Sequence, residues 1–274
     1  MKANKIEQSG GKGIFVVLAI VFVALAALGL VIGYGKLHDL WAEQCVIRDA
    51  STQVTITSGK MVKADVLAEN FGLREGANLA LIDFEAKREE ILRKIPNLRA
   101  ISISRKLPDK VTIVAEERTP VARMNVKGRK SETGRVVDTE GVVFIWQRGT
   151  QTLPIIREPQ APVTPVGQRL TGRPLAALRL IEAAQAPDVT DLGVLEVDTS
   201  KLDYLTATLG NYSTAKVAWE GMDNPTPATR PNLERQLTLL AKAIRSRVGD
   251  RTVIWNATDC SKPGRVYADS KGNL

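Results

Sequence analysis

The most apolar part of the chain lies near its N-terminus. No charged residue occurs between Gly13 and Gly35, and Ile14–Tyr34 consists almost entirely of Val, Leu, Ala, Ile and Phe. A helix of about 21 residues, rising roughly 1.5 Å per residue, crosses the ~30 Å hydrocarbon core of a bilayer. The pattern therefore predicts a transmembrane helix over residues 14–34, and no other segment of the sequence is apolar over such a length.

The charges before this segment predict its orientation. Residues 1–13 carry three lysines against one acid, Glu7. The positive-inside rule then places this tail in the cytoplasm and everything after the span outside it. A cleaved signal peptide is the alternative, but its apolar region would be shorter and would end at a small-x-small cleavage site. The run here passes directly into Gly33-Tyr34-Gly35-Lys36, which favours an uncleaved anchor in the plasma (inner) membrane.

Beyond a juxtamembrane linker, residues 35–51, the pattern predicts a first folded domain over 52–118. Val54 and Ile56 alternate with threonines, as in a half-buried strand. Two amphipathic helices follow. The first places Val62, Val66, Leu67 and Phe71 on one side before Gly72, and the second begins after Asp83 and ends at Pro96. Two alternating strands around Ile101–Ile103 and Val111–Ile113 complete a strand-helix-helix-strand-strand order, which predicts a small α+β layer structure.

Thr119-Pro120 begins a second region, which we assign to residues 119–274. Asp138-Thr139-Glu140-Gly141 is a hairpin signal between two short apolar runs. A helix is predicted from Pro174, and the longest amphipathic helix follows Pro231, with Leu233, Leu237, Leu240, Ile244 and Val248 at three- and four-residue steps. The fold class predicted for the whole chain is therefore α+β: one transmembrane helix, a β-α-α-β-β domain, and a second mixed domain with a mainly antiparallel sheet.

Charge and chemistry argue against several functional classes. The net charge is +8 with a pI near 9.5, but basic and acidic residues are interleaved along the chain, so no nucleic-acid-binding patch is predicted. The one histidine, His38, lies beside the predicted span, and no P-loop, GxSxG, HExxH or paired-carboxylate motif occurs. The sequence therefore predicts no enzymatic activity, no cofactor and no small-molecule substrate.

The two cysteines, Cys45 and Cys260, show no metal-binding spacing, which excludes a zinc site at the level of sequence. Both would lie in an oxidising compartment, where a disulfide is possible. Because they fall at opposite ends of the extracytoplasmic region, in what we interpret as different structural segments, two unpaired structural thiols are expected.

Six motifs follow one another along the chain: Phe71-Gly72-Leu73 with Gly76, Asn78-Leu79 and Ile82-Asp83; Ile95-Pro96-Asn97-Leu98-Arg99-Ala100; Arg105–Ile113; Glu117-Arg118-Thr119-Pro120-Val121-Ala122; Val137–Phe144; and Leu153-Pro154-Ile155-Ile156. Each alone is weak, but their combination and spacing after a single predicted span resemble FtsQ/DivIB proteins and their POTRA domain.

The resemblance implies a bitopic component of the bacterial division machinery, located at the septum. By this analogy the POTRA domain would serve septal recruitment, and the distal β-domain would bind other bitopic division proteins of the FtsB/FtsL kind. Fold-to-function transfer of this sort is analogy, since each glycine, proline and aspartate in the motifs also has a purely structural explanation. One departure concerns the last strands: the family's Asp-Leu-Arg-Tyr segment is replaced here by Val253-Ile254-Trp255-Asn256-Ala257.

Two surfaces are candidates for partner contact. An open sheet edge offers unpaired backbone groups to an incoming strand, so the terminal strands suggest Val253, Trp255, Val266 and Tyr267. The alternative is that Val253 and Trp255 pack on the helix at Leu237–Ile244. On the second predicted helix of the first domain, Arg88 and Arg93 could meet an acidic partner or headgroups, against the simpler interpretation of a solvated face.

Two other functions remain open at this point. A POTRA-containing envelope transport or outer-membrane assembly factor would normally carry a membrane β-barrel or several POTRA units, neither of which is evident in the sequence. A membrane-anchored wall enzyme would need a polar catalytic constellation, and the sequence offers no such set of residues.

Overall fold

The computed structural model of the chain describes residues 21–22, 25, 43–106, 108–126, 134–147, 149–159, 162–219, 221–246, 254–259 and 267–268. Of the predicted span 14–34, only Val21, Phe22 and Leu25 are among them; all three are helical and exposed. The rest of the span and the tail at 1–13 lie outside the described residues. Within the described residues, no helix is long and apolar enough to cross a bilayer.

The first folded region has the predicted order of strands and helices. It opens with one short helix that the sequence pattern did not indicate. The elements are α1 (Ala50–Gln53), β1 (Val54–Thr57), α2 (Ala64–Phe71), α3 (Phe84–Lys94), β2 (Leu98–Lys106) and β3 (Lys110–Glu117). They include a three-stranded sheet of order β1-β3-β2, in which β1 runs parallel to β3 with Val54 opposite Val111.

Local chemistry explains where the two longer helices begin and end. The Asp83 carboxylate accepts a hydrogen bond from the Ala86 N–H at 3.0 Å, so α3 begins at Phe84, as predicted. Gly72 ends α2 with a φ of +75°, a conformation that glycine adopts without strain. Leu67 and Phe71, four residues apart, form the buried side of α2. Val66 is 39% exposed, so the prediction that it lies on the buried side was wrong.

In the residues that the structure describes, the second region is built on a nine-stranded sheet. Its order is β12-β11-β10-β9-β8-β7-β4-β5-β6. The strands are β4 (Ala122–Val126), β5 (Arg135–Val137), β6 (Val143–Ile145), β7 (Ile155–Glu158), β8 (Glu196–Asp198), β9 (Leu205–Thr208), β10 (Thr214–Val217), β11 (Ile254–Ala257) and β12 (Tyr267–Ala268). The hairpin predicted around Asp138–Gly141 is present, joining β5 to β6 in antiparallel register.

Among the described strands the sheet is mainly antiparallel, as predicted, with some parallel pairs. Five neighbouring pairs are antiparallel, and three are parallel: β4 with β7, β7 with β8, and β10 with β11. A parallel pair needs a long crossover, and a helix supplies it in two cases. The helix α4 (Gly172–Ala183) connects β7 to β8, and α5 (Thr229–Ser246) connects β10 to β11. A one-turn 3₁₀ helix, Thr190–Leu192, follows α4.

The core of this region lies between the sheet and these two helices. α4 contacts β7, α5 contacts β11, and the helices contact each other. Leu233, Leu237 and Leu240 of α5 are buried, as their spacing predicted, and Ile244 is partly buried. Val248 lies outside the described residues. Burial of this apolar stripe, at roughly 25 cal/mol per Å², is what holds α5 on the sheet.

By their internal contacts, the residues divide into two compact units. The first comprises residues up to 57 together with 64–88 and 102–114, and the second comprises 58–63, 89–101 and 115–274. Phe71 and Phe84, with ring centroids 6.0 Å apart, are part of the core of the first unit. The second unit contains the nine-stranded sheet and its helices. The domain limits predicted from the sequence, 52–118 and 119–274, stay a prediction.

Candidate partner-binding edge

The nine-stranded sheet has two end strands, β6 and β12, and the backbone of β6 is covered. The N–H of Gly167 donates to the Val143 carbonyl at 2.7 Å, and the Val143 N–H donates to the Gln168 carbonyl at 2.9 Å. Further along, the Asn97 amide donates to the Ile145 carbonyl at 2.5 Å. We call residues 166–170, which cover this end, the β6 strap. An incoming strand would have to displace the strap, because the strap already bonds the outward backbone groups of β6. Covering an edge in this way prevents edge-to-edge pairing with other strands.

The β12 end is the candidate binding edge. β12 pairs with β11 in antiparallel register, with Ala268 opposite Trp255 and Tyr267 opposite Asn256. In the part of the chain that the structure describes, no further strand pairs with β12. Two of the predicted contact residues, Val253 and Val266, lie outside the described residues. Tyr267 lies in β12, at the edge itself.

Trp255 lies in the core instead of on an exposed contact face. Its side chain is 3% exposed and belongs to the apolar cluster that also contains Leu237 and Leu240. This arrangement corresponds to the alternative interpretation, packing against the α5 helix. The same helix bonds to β11 directly, since the Gln236 amide donates to the Ala257 carbonyl at 3.1 Å. Trp255 therefore packs the strand next to the edge, β11, against α5.

Alternation along a strand could not distinguish these two roles. β11 has its neighbours β10 and β12 on both sides, and its residues Ile254, Trp255 and Ala257 are all buried. A strand covered on both faces contains consecutive apolar residues, so its sequence does not show which side faces a partner. Only the position of α5 decides that Trp255 points into the core.

Arg88 and Arg93, the other predicted contact residues, both lie on α3. Arg88 is half-buried and forms an ion pair with Glu85 one helical turn away. Arg93 is exposed. Ion pairs of this kind on a helix surface contribute at most about 1 kcal/mol, so Glu85 holds the Arg88 side chain only weakly. The structure shows their position, and a role in partner contact stays a prediction.

A charged cluster that the sequence analysis assigned no role lies in the second unit. Arg118 donates to the carboxylates of Asp138 at 2.5 Å and Glu140 at 3.0 Å, and to the Pro96 carbonyl at 3.1 Å. The side chains of Arg118 and Asp138 are 12% and 5% exposed. Glu140 also accepts from Arg99 at 2.8 Å. The hydrogen bonds from Arg99 and then Arg118 lower the pKa of Glu140 from its ordinary value.

Glu117, the neighbour of Arg118, anchors a loop. Its carboxylate accepts backbone hydrogen bonds from Lys60 at 2.9 Å and from Met61 and Val62 at 2.7 Å each. A side chain at Gly59 would collide with this carboxylate, which explains the glycine there. The sequence motifs contain Glu117, Arg118 and Asp138, the residues of the loop anchor and of the charged cluster. Their spacing in sequence does not show which groups each of them bonds. Glu117 and Arg118 thus both stabilise the fold.

Metal binding has no candidate here: among the described residues, no group of three or more His, Cys, Asp or Glu side chains converges. Cys45 is fully buried, and Cys260 lies outside the described residues. The expectation of two separate thiols therefore stays a prediction.

Two comparisons relate the chain to known proteins. The family described as "POTRA domain, FtsQ-type" matches residues 50–118. The cell division protein DivIB of Clostridium acetobutylicum is 24% identical over 104 residues, which is 38% of this chain and 40% of that protein. The matched part thus spans less than half of the length of this relative. The family match covers α1 to β3, the region in which the strand-helix-helix-strand-strand order was predicted.

Proposed function

We propose that this chain is a non-enzymatic scaffold of the bacterial division machinery. The premise is that it belongs to the FtsQ/DivIB family and carries an FtsQ-type POTRA domain. In this proposal it is anchored in the plasma membrane by residues 14–34 and presents its folded domains outside the cytoplasm at the septum. There it binds other bitopic division proteins of the FtsB/FtsL kind.

One observation supports the proposed mode of binding: one end of the nine-stranded sheet is covered and the other is not, among the described residues. The strap covers β6, whereas β12 ends the sheet in the part of the chain that the structure describes. A strand added beside β12 would satisfy the outward backbone groups of that strand, and side-chain pockets would select its sequence. This is the contact we propose for a small bitopic partner.

The predicted contact residues have different parts in this proposal. Tyr267 lies on the edge strand, and Val253 and Val266 flank the two strands in sequence. Trp255 fixes β11 on α5 and so holds β12 in place. Arg88 and Arg93 on α3 form a separate candidate surface, suited to an acidic segment of a partner.

Proline substitutions test the edge. In an antiparallel strand the N–H and C=O of one residue point to the same neighbour, and those of the next residue point the opposite way. One of Tyr267 and Ala268 therefore faces β11, and the other faces outward. Proline removes the N–H in either place. We expect one of Tyr267→Pro and Ala268→Pro to keep the thermal stability of the chain and lose co-purification of membrane division proteins from solubilised membranes.

Tyr267→Phe is the matched control, because it keeps the backbone donor and the aromatic ring and should retain the partners. The edge contact is refuted if the proline variant with unchanged thermal stability still captures the same proteins. An Arg93→Glu variant tests the second surface in the same assay, with Lys242→Glu on α5 as a control of equal charge change.

Depletion in cells separates this function from the alternative, an envelope transport or outer-membrane assembly factor. Filamentous cells, with the tagged protein at mid-cell, are expected for a division scaffold. Normal septation with defective outer-membrane assembly would favour the alternative. A periplasm-dependent reporter fused to the C-terminus should be active only outside the cytoplasm, and activity inside would contradict the proposed topology.

A further inference from the structure

Four exposed basic residues gather around the segment through which the chain enters its first folded unit. Arg48 lies on this segment, and Arg105, Lys106 and Lys110 lie at the adjoining ends of β2 and β3. The sheet topology brings them together. Because β1 is parallel to β3, with Val54 opposite Val111, the start of β1 lies beside Lys110.

Hydrogen bonds fix this arrangement. The Gln53 amide donates to the Asp109 carboxylate at 2.9 Å, which ties the entering segment to the β2–β3 turn. The carbonyl oxygen of the same Gln53 side chain accepts from the backbone N–H groups of Arg48 at 2.6 Å and Asp49 at 2.8 Å. Arg48 is thereby held close to the turn that carries Lys106 and Lys110.

An exposed apolar side chain flanks the same segment. The strand-like bridge between Val46 and Asn78 places the 78–82 turn beside the entering chain. Leu81, in this turn, is 80% exposed. We call Arg48, Leu81, Arg105, Lys106 and Lys110 the entry patch. The Leu79 N–H donates to the Cys45 carbonyl at 2.8 Å, so this turn lies along the part of the entering chain that is nearer to the predicted span. Exposed apolar and basic side chains together are the composition of surfaces that lie on a charged bilayer.

The four basic residues of the entry patch outnumber the acids within the same segments, Asp49 and Asp109, which keep their negative charge. Asp109 is engaged by Gln53, and Asp49 caps α1 by accepting from the Ser51 N–H at 2.9 Å. Glu43 is exposed at the start of the described segment. In the part of the chain that the structure describes, no ion pair involves Arg48, Arg105, Lys106 or Lys110. Arg105 lies over the ring of Phe84 at 5.4 Å, which leaves its charge accessible.

The entry patch follows the predicted membrane span closely in sequence, which makes the membrane surface its candidate partner. Only 13 residues lie between the end of the predicted span, residue 34, and Arg48. A chain of this length reaches at most about 50 Å when fully extended, and less with any local structure. We infer that the entry patch docks on the anionic phospholipid headgroups of the outer leaflet and orients the POTRA domain on the membrane. This inference rests on the anchor of the proposed function but not on any partner protein.

Lysine labelling of the full chain in lipid nanodiscs tests this inference. An amine-reactive reagent is applied in discs of phosphatidylcholine and in discs that also contain phosphatidylglycerol, and modification rates are measured by mass spectrometry. We expect Lys106 and Lys110 to react about fivefold more slowly in the anionic discs, with the protection lost at high salt. The exposed Lys63 and Lys242 are internal controls whose rates should not change.

Leucine variants test the apolar part of the entry patch. Leu81→Ser should reduce the protection of Lys106 and Lys110, whereas Leu202→Ser, at a leucine that is 72% exposed elsewhere, should not. Equal labelling of Lys106 in neutral and anionic discs overturns the inference, and so does a chain that does not insert into discs. Loss of partner capture with the lysine protection intact would instead refute only the proposed scaffold function.

Discussion

Arg135 and Glu158 form a buried ion pair beside the covered end of the sheet, with Nη2 and Oε2 3.2 Å apart and side chains 9% and 0% exposed. Both residues also hold the same loop. The Arg135 guanidinium donates to the Thr164 carbonyl at 2.5 Å, and the Glu158 carboxylate accepts from the Thr164 N–H at 3.1 Å. This loop leads directly into the β6 strap, so the pair fixes the segment that covers one end of the sheet.

Replacing this glutamate tests the arrangement. Glu158→Gln removes the negative charge of Glu158 from the buried pair, and breaking a buried pair in this way typically costs about 3–5 kcal/mol. Glu234→Gln is the control, because its pair with Arg230 on the surface of α5 is well exposed and contributes about 1 kcal/mol or less. Denaturant unfolding of the purified chain measures both. Equal losses would show that burial of Glu158 is not what matters.

A loosened strap should also expose the backbone of β6. We therefore expect Glu158→Gln to self-associate more than Glu234→Gln at the same concentration, since an uncovered strand edge pairs with other edges. Sedimentation velocity in detergent detects this. A monomeric Glu158→Gln chain with an exchange-protected strap would contradict the covering role.

Glu117 is expected to hold the loop after β1. In Glu117→Gln one of the three accepted backbone hydrogen bonds is replaced by a donor facing a donor, so we predict a loss of about 1–3 kcal/mol. Amide hydrogen exchange at Lys60–Val62 should accelerate. Glu116→Gln is the adjacent control: its carboxylate is 57% exposed and pairs with Arg99, so exchange at these three residues should not change.

The lowered pKa of Glu140 predicts a contribution to acid stability. Its pKa falls from an ordinary value of 4.5 because Arg99 and then Arg118 donate hydrogen bonds to the charged carboxylate. The folded state therefore binds this proton less readily than the unfolded state. The contribution is fully present above pH 4.5 and is lost as the pH falls through the folded-state pKa.

Glu140→Gln should accordingly be less stable than the parent chain at pH 7 by about 1 kcal/mol or less, and the difference should shrink toward pH 3. Urea unfolding at several pH values measures this. The control is Glu89→Gln, at an exposed position of α3. A stability difference that is constant across this range would refute the assignment to Glu140.

Trp255 is expected to act through stability. Trp255→Ala removes a side chain buried against α5 and should cost about 3–5 kcal/mol. Tyr212→Ala, at a residue that is 81% exposed, should change the unfolding free energy little. Partner capture by Trp255→Ala should then fall together with its stability. A stable Trp255→Ala chain that has lost its partners would place this side chain at the contact after all.

Hydrophobic spacing and turn residues predicted most elements, because these signals are local. Asp83 before α3, Gly72 after α2 and the hairpin around Gly141 act within a few residues of themselves. The prediction failed where the side of an element depends on its neighbours. Val66 is apolar and lies in α2, but the side buried in the fold is defined by Leu67 and Phe71.

The sequence by itself determined most of the order of strands and helices, the FtsQ-type POTRA domain and the resemblance to DivIB, since these depend on residues close together in the chain. Only the tertiary structure decided that Trp255 is buried, that the strap closes the β6 end, and that Gln53 ties the entering segment to the turn at Asp109. Each depends on contacts between segments far apart in sequence, and a linear pattern carries no information about which distant segment covers which edge.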